Sequence, residues 1–209
     1  MTDASLAALH ELRSGAHFEW TFVNLLAVVL YVYSVEIRAK RWDAVVLGLG
    51  FWAAELVWEI INGLVLHFSG YSAMWTVAGK SVFVLLVGLN VEIYFMFAIA
   101  PIVLFNLLPA DRSRKIAGIP NRWLIPALVG LFCVAVETVL NRWGALVWSW
   151  PWWRWPTVEW IVVAYVAPFL FIAWAYDRWT LRTKVIAAAG AVVAALASWW
   201  LFVVELGWV

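Results

Sequence analysis

Two glutamates and an asparagine interrupt the apolar stretch AELVWEIING, residues 54–63. Glu55 and Glu59 are four residues apart and Asn62 follows three later, so all three side chains share one face of a helix. A charged group at the centre of a bilayer costs about 2.5–3.5 kcal/mol on insertion scales. The stretch therefore predicts acids that face a protein interior, where protonated carboxyl groups can hold or transfer a proton.

Further polar residues interrupt apolar stretches elsewhere in the chain. Asn90 and Glu92 lie within one stretch, and Glu137 and Asn141 lie near the end of another. We expect these acids to converge with the first pair in the outer half of the membrane, mostly as neutral carboxylic acids hydrogen-bonded by the asparagines. Polar residues in membrane helices also join helices through hydrogen bonds, and that structural role stays open for each asparagine.

Aromatic residues accompany these acids. Trp52 and Trp58 flank Glu55, and Tyr94 follows Glu92 by two residues. A carboxylic acid can donate a proton to an alkene or an epoxide, and aromatic faces stabilise the cation that results. Acids and aromatic rings together therefore favour chemistry that passes through a carbocation, although the same rings also suit ordinary helix packing.

The elements that must position these residues are membrane-spanning helices. Of the 209 residues, 66% are hydrophobic and 13% are charged, whereas soluble domains average about 45–50% and about 25%. A span needs about 20 apolar residues. The predicted spans cover residues 20–35, 44–65, 82–108, 123–140, 158–176 and 185–204. Residues 19–209 are thus predicted to form one all-α, polytopic bundle of about six transmembrane helices in the cell membrane.

Basic residues predict the orientation of this bundle. The loops after the first, third and fifth spans hold ten of the 14 Lys and Arg residues: Arg38, Lys40, Arg41, Arg112, Arg114, Lys115, Arg122, Arg178, Arg182 and Lys184. The positive-inside rule places these loops in the cytoplasm and both termini on the outer side. Residues 1–18 are expected to form either an interfacial amphipathic helix or a loosely held outer tail.

Several common kinds of site have no sequence signal. The histidines His10, His17 and His67 form no ligand cluster, and the single cysteine, Cys133, excludes an internal disulfide and a multi-cysteine metal site. Phosphate-binding, zinc-protease and serine-hydrolase motifs are absent. We therefore predict no metal, no cofactor and no nucleic-acid partner, while a hard cation held by carboxylate and amide oxygens stays open.

The stretch YVYSVEIRAKRWDAVVLGLGFWAAELVWEIINGLV, residues 31–65, resembles the transmembrane terpene cyclases that close meroterpenoid and indole-sesquiterpene skeletons. In that family an aromatic-rich first helix leads through a short basic loop to a second helix with a Trp-Glu pair, here Trp58-Glu59. The resemblance implies that Glu59 protonates the terminal epoxide or alkene of a polyprenyl chain. Two features differ, since the family usually has seven helices and its late acidic residue is matched here only by Glu205.

We therefore predict a membrane enzyme that performs proton transfer, as a cyclase or an isomerase, on a lipophilic isoprenoid-like substrate. Glu59 is the expected general acid. The acids expected to tune it or to take back the final proton are Glu55, Glu92 and Glu137. The predicted substrate-binding residues are Asn62, Asn90, Asn141, Trp52, Trp58 and Tyr94. Two alternatives stay open: a proton or cation transporter or channel that uses the same carboxyl groups, and a structural subunit of a larger membrane complex.

Overall fold

The computed structural model describes residues 1–15, 18–78 and 81–209. Within these ranges the chain forms seven α-helices: α1 Asp3–Glu11, α2 Thr21–Arg38, α3 Trp42–Ser69, α4 Val91–Leu107, α5 Asn121–Arg142, α6 Glu159–Arg178 and α7 Leu181–Ser198. The end of α7 continues as a π-helical segment, Trp199–Glu205. His17 and Lys80 lie outside the described residues.

Three short antiparallel strand pairs connect the helices of the described chain. The pairs are β1 (Thr76–Val77) with β6 (Leu146–Val147), β2 (Val84–Leu86) with β3 (Leu89–Asn90), and β4 (Lys115–Ile116) with β5 (Ile119–Pro120). The β1–β6 pair joins the loop after α3 to the loop after α5. The two loops therefore form one cap over the same end of the bundle.

Five helices are long and apolar enough to cross a membrane: α2, α3, α5, α6 and α7 together with its π-helical end. The remaining apolar helix, α4, has 17 residues. Helices α2 to α7 correspond in order to the six predicted spans. The predicted all-α, multi-pass membrane bundle is therefore confirmed within the described part of the chain.

The third predicted span is wrong at its beginning. The sequence predicts a helix over residues 82–108, but α4 begins only at Val91, because the preceding residues pair as the β2–β3 hairpin. Asn90 ends the hairpin and caps α4, since its side-chain oxygen accepts a hydrogen bond from the Ile93 N–H at 2.9 Å. A short buried strand and a buried helix are equally apolar, so hydropathy alone does not separate them.

Helix α3 lies at the centre of the bundle. It packs most extensively on α7 and also contacts α2, α4 and α6, while α5 packs along α6. Gly50 permits the close approach of α3 to α7, because a Cβ atom added there would lie 3.0 Å from the Ala188 Cα atom. Helices α6 and α7 are joined by a two-residue turn but make few contacts with each other, which leaves a cleft between them.

Ion pairs join the helices at one end of the bundle. Arg122 on α5 lies 2.6 Å from a carboxyl oxygen of Asp177 on α6, and Arg112 approaches the same carboxylate at 3.2 Å. Lys184 on α7, almost completely buried, pairs with Asp43 on α3. All these basic residues belong to the loops that the sequence predicts to be cytoplasmic, so these loops lie together at one end.

The first and last residues lie at the opposite end, near the end of α3. The Thr2 N–H donates to the Tyr71 carbonyl oxygen at 3.0 Å, and the Arg13 guanidinium donates to the Val209 carbonyl oxygen at 2.6 Å. Helix α1 docks here with Ala8 buried. The basic loops predict that the end with the ion pairs faces the cytoplasm and that the end with both termini faces outward.

Candidate functional site

Glu59 lies in a buried hydrogen-bond network near the capped end of α3. Its side chain is only 2% exposed. The indole Nε1 of Trp75 donates to one carboxyl oxygen at 2.9 Å, and Asn62 Nδ2 lies 3.5 Å from the other. Both oxygens of Glu59 therefore face N–H donors, and the spacing of Glu59 and Asn62 places them on one face of the helix as predicted.

Asn62 connects this network to the backbone of the loop after α3. Its side-chain oxygen accepts hydrogen bonds from the Met74 N–H at 2.7 Å and the Trp75 N–H at 3.4 Å. Its amide group donates to the Trp75 carbonyl oxygen at 2.9 Å. One fully buried side chain thus satisfies three backbone groups. The position of the Trp75 indole, and so its bond to Glu59, depends on Asn62.

The turn of the β2–β3 hairpin closes the network from the other side. A Cβ atom added to Gly88 would lie 2.7 Å from Trp75 Nε1 and 2.8 Å from Glu59 Oε2, and it would overlap Asn62 Nδ2. The space that a side chain needs is therefore filled by the polar atoms of the network. Glycine is required here because of this close approach.

Beside this network, a cavity of about 600 Å³ lies between α3, α6 and α7. Glu55 stands on its wall, half-buried, and makes no side-chain hydrogen bond within the described residues. Glu55 supplies the only carboxyl group among the described lining residues, and none of these is Lys, Arg or His. Around Glu55 the wall is almost entirely apolar.

A second acid is linked to the cavity through a lining residue. Tyr165 on α6 lines the cavity, and its hydroxyl donates a hydrogen bond to a carboxyl oxygen of Glu137 on α5. Glu137 itself is buried. Glu55 interacts electrostatically with both Glu137 and Glu59. Three of the four predicted acids therefore form one group, which is divided between α3 and α5.

The fourth predicted acid, Glu92, has a different environment. It accepts hydrogen bonds from the Ser81 hydroxyl at 2.7 Å and from the Val82 N–H at 3.0 Å. These bonds tie the first turn of α4 to the segment before β2. Asn141 is likewise engaged in its own loop, where it donates to the Leu146 carbonyl oxygen at 3.0 Å. Together with the capping role of Asn90, these contacts hold helix ends and loops in place.

Of the predicted aromatic residues, one lines the cavity and the other two do not. Trp58 lines the cavity, and its ring centroid lies 6.2 Å from that of Trp75, which lines it as well. Trp153, from the loop before α6, adds a third ring 5.4 Å from Trp75. Trp52 and Tyr94 instead pack on each other at 4.8 Å, away from the cavity lining.

Four residues of this site are not among those predicted from the sequence: Trp75, Gly88, Trp153 and Tyr165. All of them lie outside α3, in the loops and helices that pack against it. Trp75 follows α3 by only a few residues but shows no helical spacing to Glu59, and Tyr165 lies in an ordinary apolar helix. No local pattern marks them. In the described residues, no three His, Cys, Asp or Glu side chains are placed to hold a metal ion.

The fold and the buried acids define a multi-pass membrane protein with a carboxyl-bearing cavity inside its helical bundle. The chain belongs to an uncharacterized membrane protein family, which it matches over residues 2–204. It is similar to a protein of Archaeoglobus fulgidus described as an uncharacterized protein, with 41% identity over 177 residues, 84% of each chain. No solved structure matches the chain significantly. The chain is therefore a lipid-embedded member of this family.

Proposed function

We propose that this protein is a membrane enzyme that isomerises or cyclises a lipophilic, isoprenoid-like substrate by proton transfer in the cavity. The observation that supports the proposal most is the position of Glu55. It is a carboxyl group without a hydrogen-bond partner in the described residues, on the wall of an apolar cavity of about 600 Å³. Pockets of about 300–1,000 Å³ with few polar groups are typical of small-molecule sites.

In this proposal Glu55, rather than Glu59, is the general acid. A substrate in the cavity reaches Glu55 directly, whereas Glu59 is not part of the lining and both its oxygens face N–H donors. Glu59 then acts as a positioning residue that orients Trp75. The two residues of the Trp-Glu pair, by which the chain resembles the terpene cyclases, therefore have separate roles in this proposal. Trp58 lines the cavity, and Glu59 is the buried hydrogen-bond partner of Trp75.

The proposed reaction needs no co-reactant. Glu55 donates its proton to one carbon of an alkene, and the π-electron pair forms the new C–H bond, which leaves a carbocation on the other carbon. The faces of Trp58, Trp75 and Trp153 can stabilise that cation, with about 0.5–2 kcal/mol from each well-placed ring. In a cyclisation, a second double bond of the same chain attacks the cation and closes a ring.

A proton loss completes the reaction. In this proposal Glu55 begins the cycle protonated and Glu137 begins it as a carboxylate that accepts the Tyr165 hydroxyl hydrogen bond. A neighbouring C–H bond breaks, its electrons form the product double bond, and the proton passes to the Tyr165 hydroxyl as that group gives its own proton to the Glu137 carboxylate. Substrate and product are then isomers. A later proton exchange between Glu137 and Glu55, through a water molecule or directly, restores the starting state.

The proposal is tested by turnover in deuterated buffer. Purified protein in lipid nanodiscs is supplied with polyprenyl alcohols and their terminal epoxides, and products are identified by mass spectrometry, where deuterium at one carbon reports protonation. General acid catalysis contributes about 10²–10⁴-fold, so we expect Glu55→Gln to lose at least about 100-fold in rate. Glu159→Gln, at the exposed start of α6, is the matched control and keeps full activity. Unchanged turnover in Glu55→Gln would refute the assignment.

The same variants separate this proposal from ion transport. An ion path must reach both surfaces, but the cavity wall between Glu55 and the basic end of α3 is apolar. The buried acid of that end, Glu36, forms its own group with Arg41 at 2.6 Å and Asn106 at 3.0 Å. Proton flux into vesicles that requires Glu55, with no conversion of any lipid, would favour a transporter over an enzyme.

A further inference from the structure

The shape of the cavity defines the length of its ligand. Along α3 the lining runs from Leu47 to Trp58, which is about 16 Å at about 1.5 Å per residue. This is roughly half of the 30 Å hydrocarbon core of a bilayer. Glu55 lies one helical turn from Trp58 and about 12 Å from Leu47 by the same rise. A ligand with its reactive group at Glu55 therefore has a short end at the tryptophans and a longer tail toward Leu47 and Trp179.

The charge of the lining defines the chemical class of the ligand. None of the described lining residues is basic, so a phosphate, diphosphate or carboxylate in the cavity would have no counterion. Burying an unpaired anion beside Glu55 in apolar surroundings is strongly unfavourable. A neutral chain that bears only a double bond, an epoxide or a hydroxyl group avoids this cost.

The cleft between α6 and α7 provides the route of entry. Its lining has small side chains on both helices, with Ala164 and Ala167 on α6 and Ala187 and Ala191 on α7. The neighbouring outer surface of both helices is apolar and exposed, for example at Val163, which is 53% exposed. Because this surface faces lipid in a membrane protein, the cavity communicates with the bilayer sideways rather than with water.

We infer that the cavity takes an uncharged, single-chain lipid about one leaflet long directly from the bilayer through the α6–α7 cleft. Its unsaturated or epoxide-bearing end lies at Glu55, and its tail extends toward Leu47 and Trp179. The identity of the reactive end rests on the proposed function. The chain length, the absence of charge and the lateral route rest on the cavity alone.

The part of the cavity that would hold the ligand's tail, toward Leu47 and Trp179, can be shortened by substitutions that leave the acids unchanged. Ala187 lines the cavity on the tail side, about 6 Å along α7 from Ala191 by helical rise. We expect Ala187→Phe to weaken the binding of long neutral chains at least about tenfold and to leave short chains unaffected. Ala189→Phe, on the exposed side of α7 and outside the lining, is the matched control. Ala191→Leu, in the cleft itself, is a second variant should the phenylalanine impair folding.

Binding is measured with a homologous series of linear terminal-alkene alcohols, brominated near the alkene so that they quench the cavity tryptophans, in nanodiscs of neutral lipid. The longest chain that still binds defines the chain-length limit. A lower limit in Ala187→Phe together with an unchanged limit in Ala189→Phe supports the inference. An unchanged limit in both Ala187→Phe and Ala191→Leu would overturn it. Equal binding of anionic, two-chain phosphatidylglycerol would also overturn it.

The test separates this inference from the proposed function. Chain-dependent binding that persists in Glu55→Gln, with no conversion by the unaltered protein, refutes the enzyme and leaves the lipid site in place. Conversion that depends on Glu55 but is unaffected by changes at Ala187 and Ala191 refutes only the lipid site described here.

Discussion

Replacement of Asn62 by leucine tests whether one side chain holds the loop after α3 in place. Leucine has a similar size but no polar atoms. The substitution removes the bonds to the Met74 N–H at 2.7 Å and to the Trp75 carbonyl oxygen at 2.9 Å, together with the longer bonds to the Trp75 N–H and to Glu59. Because Asn62 is fully buried, the two strongly bonded backbone groups are left without a partner.

The size of the effect follows from these groups. A buried polar group without a partner costs about 1–3 kcal/mol, and hydrogen bonds measured inside a membrane protein average about 0.6 kcal/mol with a maximum near 1.7. With two backbone groups affected, we expect Asn62→Leu to lower the free energy of unfolding by about 2–4 kcal/mol. Asn141→Leu removes a single bond, to Leu146, and is expected to cost about 0.5–1.5 kcal/mol.

The measurement is reversible unfolding in mixed detergent micelles, followed by far-ultraviolet circular dichroism, since helix content reports the bundle as a whole. Asn141→Leu is the matched control because it is the same substitution in another helix of the bundle. A cost below about 1 kcal/mol for Asn62→Leu, or equal destabilisation of the two variants, would contradict this expectation. Either result would mean that the loop is held mainly by its apolar contacts.

Two further predictions concern other parts of the chain. Gly88→Ala forces a methyl group into the Glu59 network and should destabilise by about 1–3 kcal/mol, whereas Gly190→Ala, with open space around it, should be neutral or stabilising in the same unfolding assay. If Gly88→Ala is equally benign, the close approach of the hairpin is not fixed. In the loop before β4, hydrogen bonds from the Ser113 hydroxyl and N–H hold the pKa of Asp111 below its ordinary value. The Asp111 carboxylate therefore stabilises the loop fully at a pH above the ordinary pKa of aspartate. This stabilisation is lost as the pH falls through the lowered pKa of Asp111. Ser113→Ala should raise the pKa of Asp111 in an NMR titration, and an unchanged midpoint would contradict this account.

The helical bundle is predictable from the sequence because hydropathy reports directly on lipid exposure. All six predicted spans have a counterpart in the structure, and most ends agree within a few residues. The exception is residues 82–90, where high hydropathy does not correspond to a helix. These residues are apolar because they are buried in protein, not because they face lipid. Hydropathy records burial of either kind and contains no information on backbone geometry.

The acids of the candidate site are only partly predictable. Helical spacing correctly places Glu59 and Asn62 on one face, because i and i+3 positions are neighbours in any helix. The environment of Glu92 differs from expectation for a local reason. Since α4 begins at Val91, Glu92 stands in the first turn of the helix, where a carboxylate is favoured by the helix dipole. A span that started at residue 82 would have placed it in the middle of the membrane.

The remaining site residues depend on tertiary contacts. Trp75 reaches Glu59 because the loop folds back over α3, and Tyr165 reaches Glu137 because α5 packs on α6. Such pairs have no fixed spacing along the chain. The packing of α6 and α7 likewise decides that Glu55 rather than Glu59 lines the cavity. The sequence of α3 alone does not predict where these two helices pack.

The β2–β3 hairpin depends on segments outside itself for part of its backbone hydrogen bonding. Its strands have only a few backbone hydrogen bonds of their own, and the outer ones are completed by the N-terminal segment and the β1 loop, through Arg13 N–H to Val84 carbonyl and Val77 N–H to Val87 carbonyl. Non-helical backbone is not tolerated against lipid. The hairpin is therefore stable only where the N-terminal segment and the β1 loop cover it. Because its turn carries Gly88, loosening of either segment would open the Glu59 network as well.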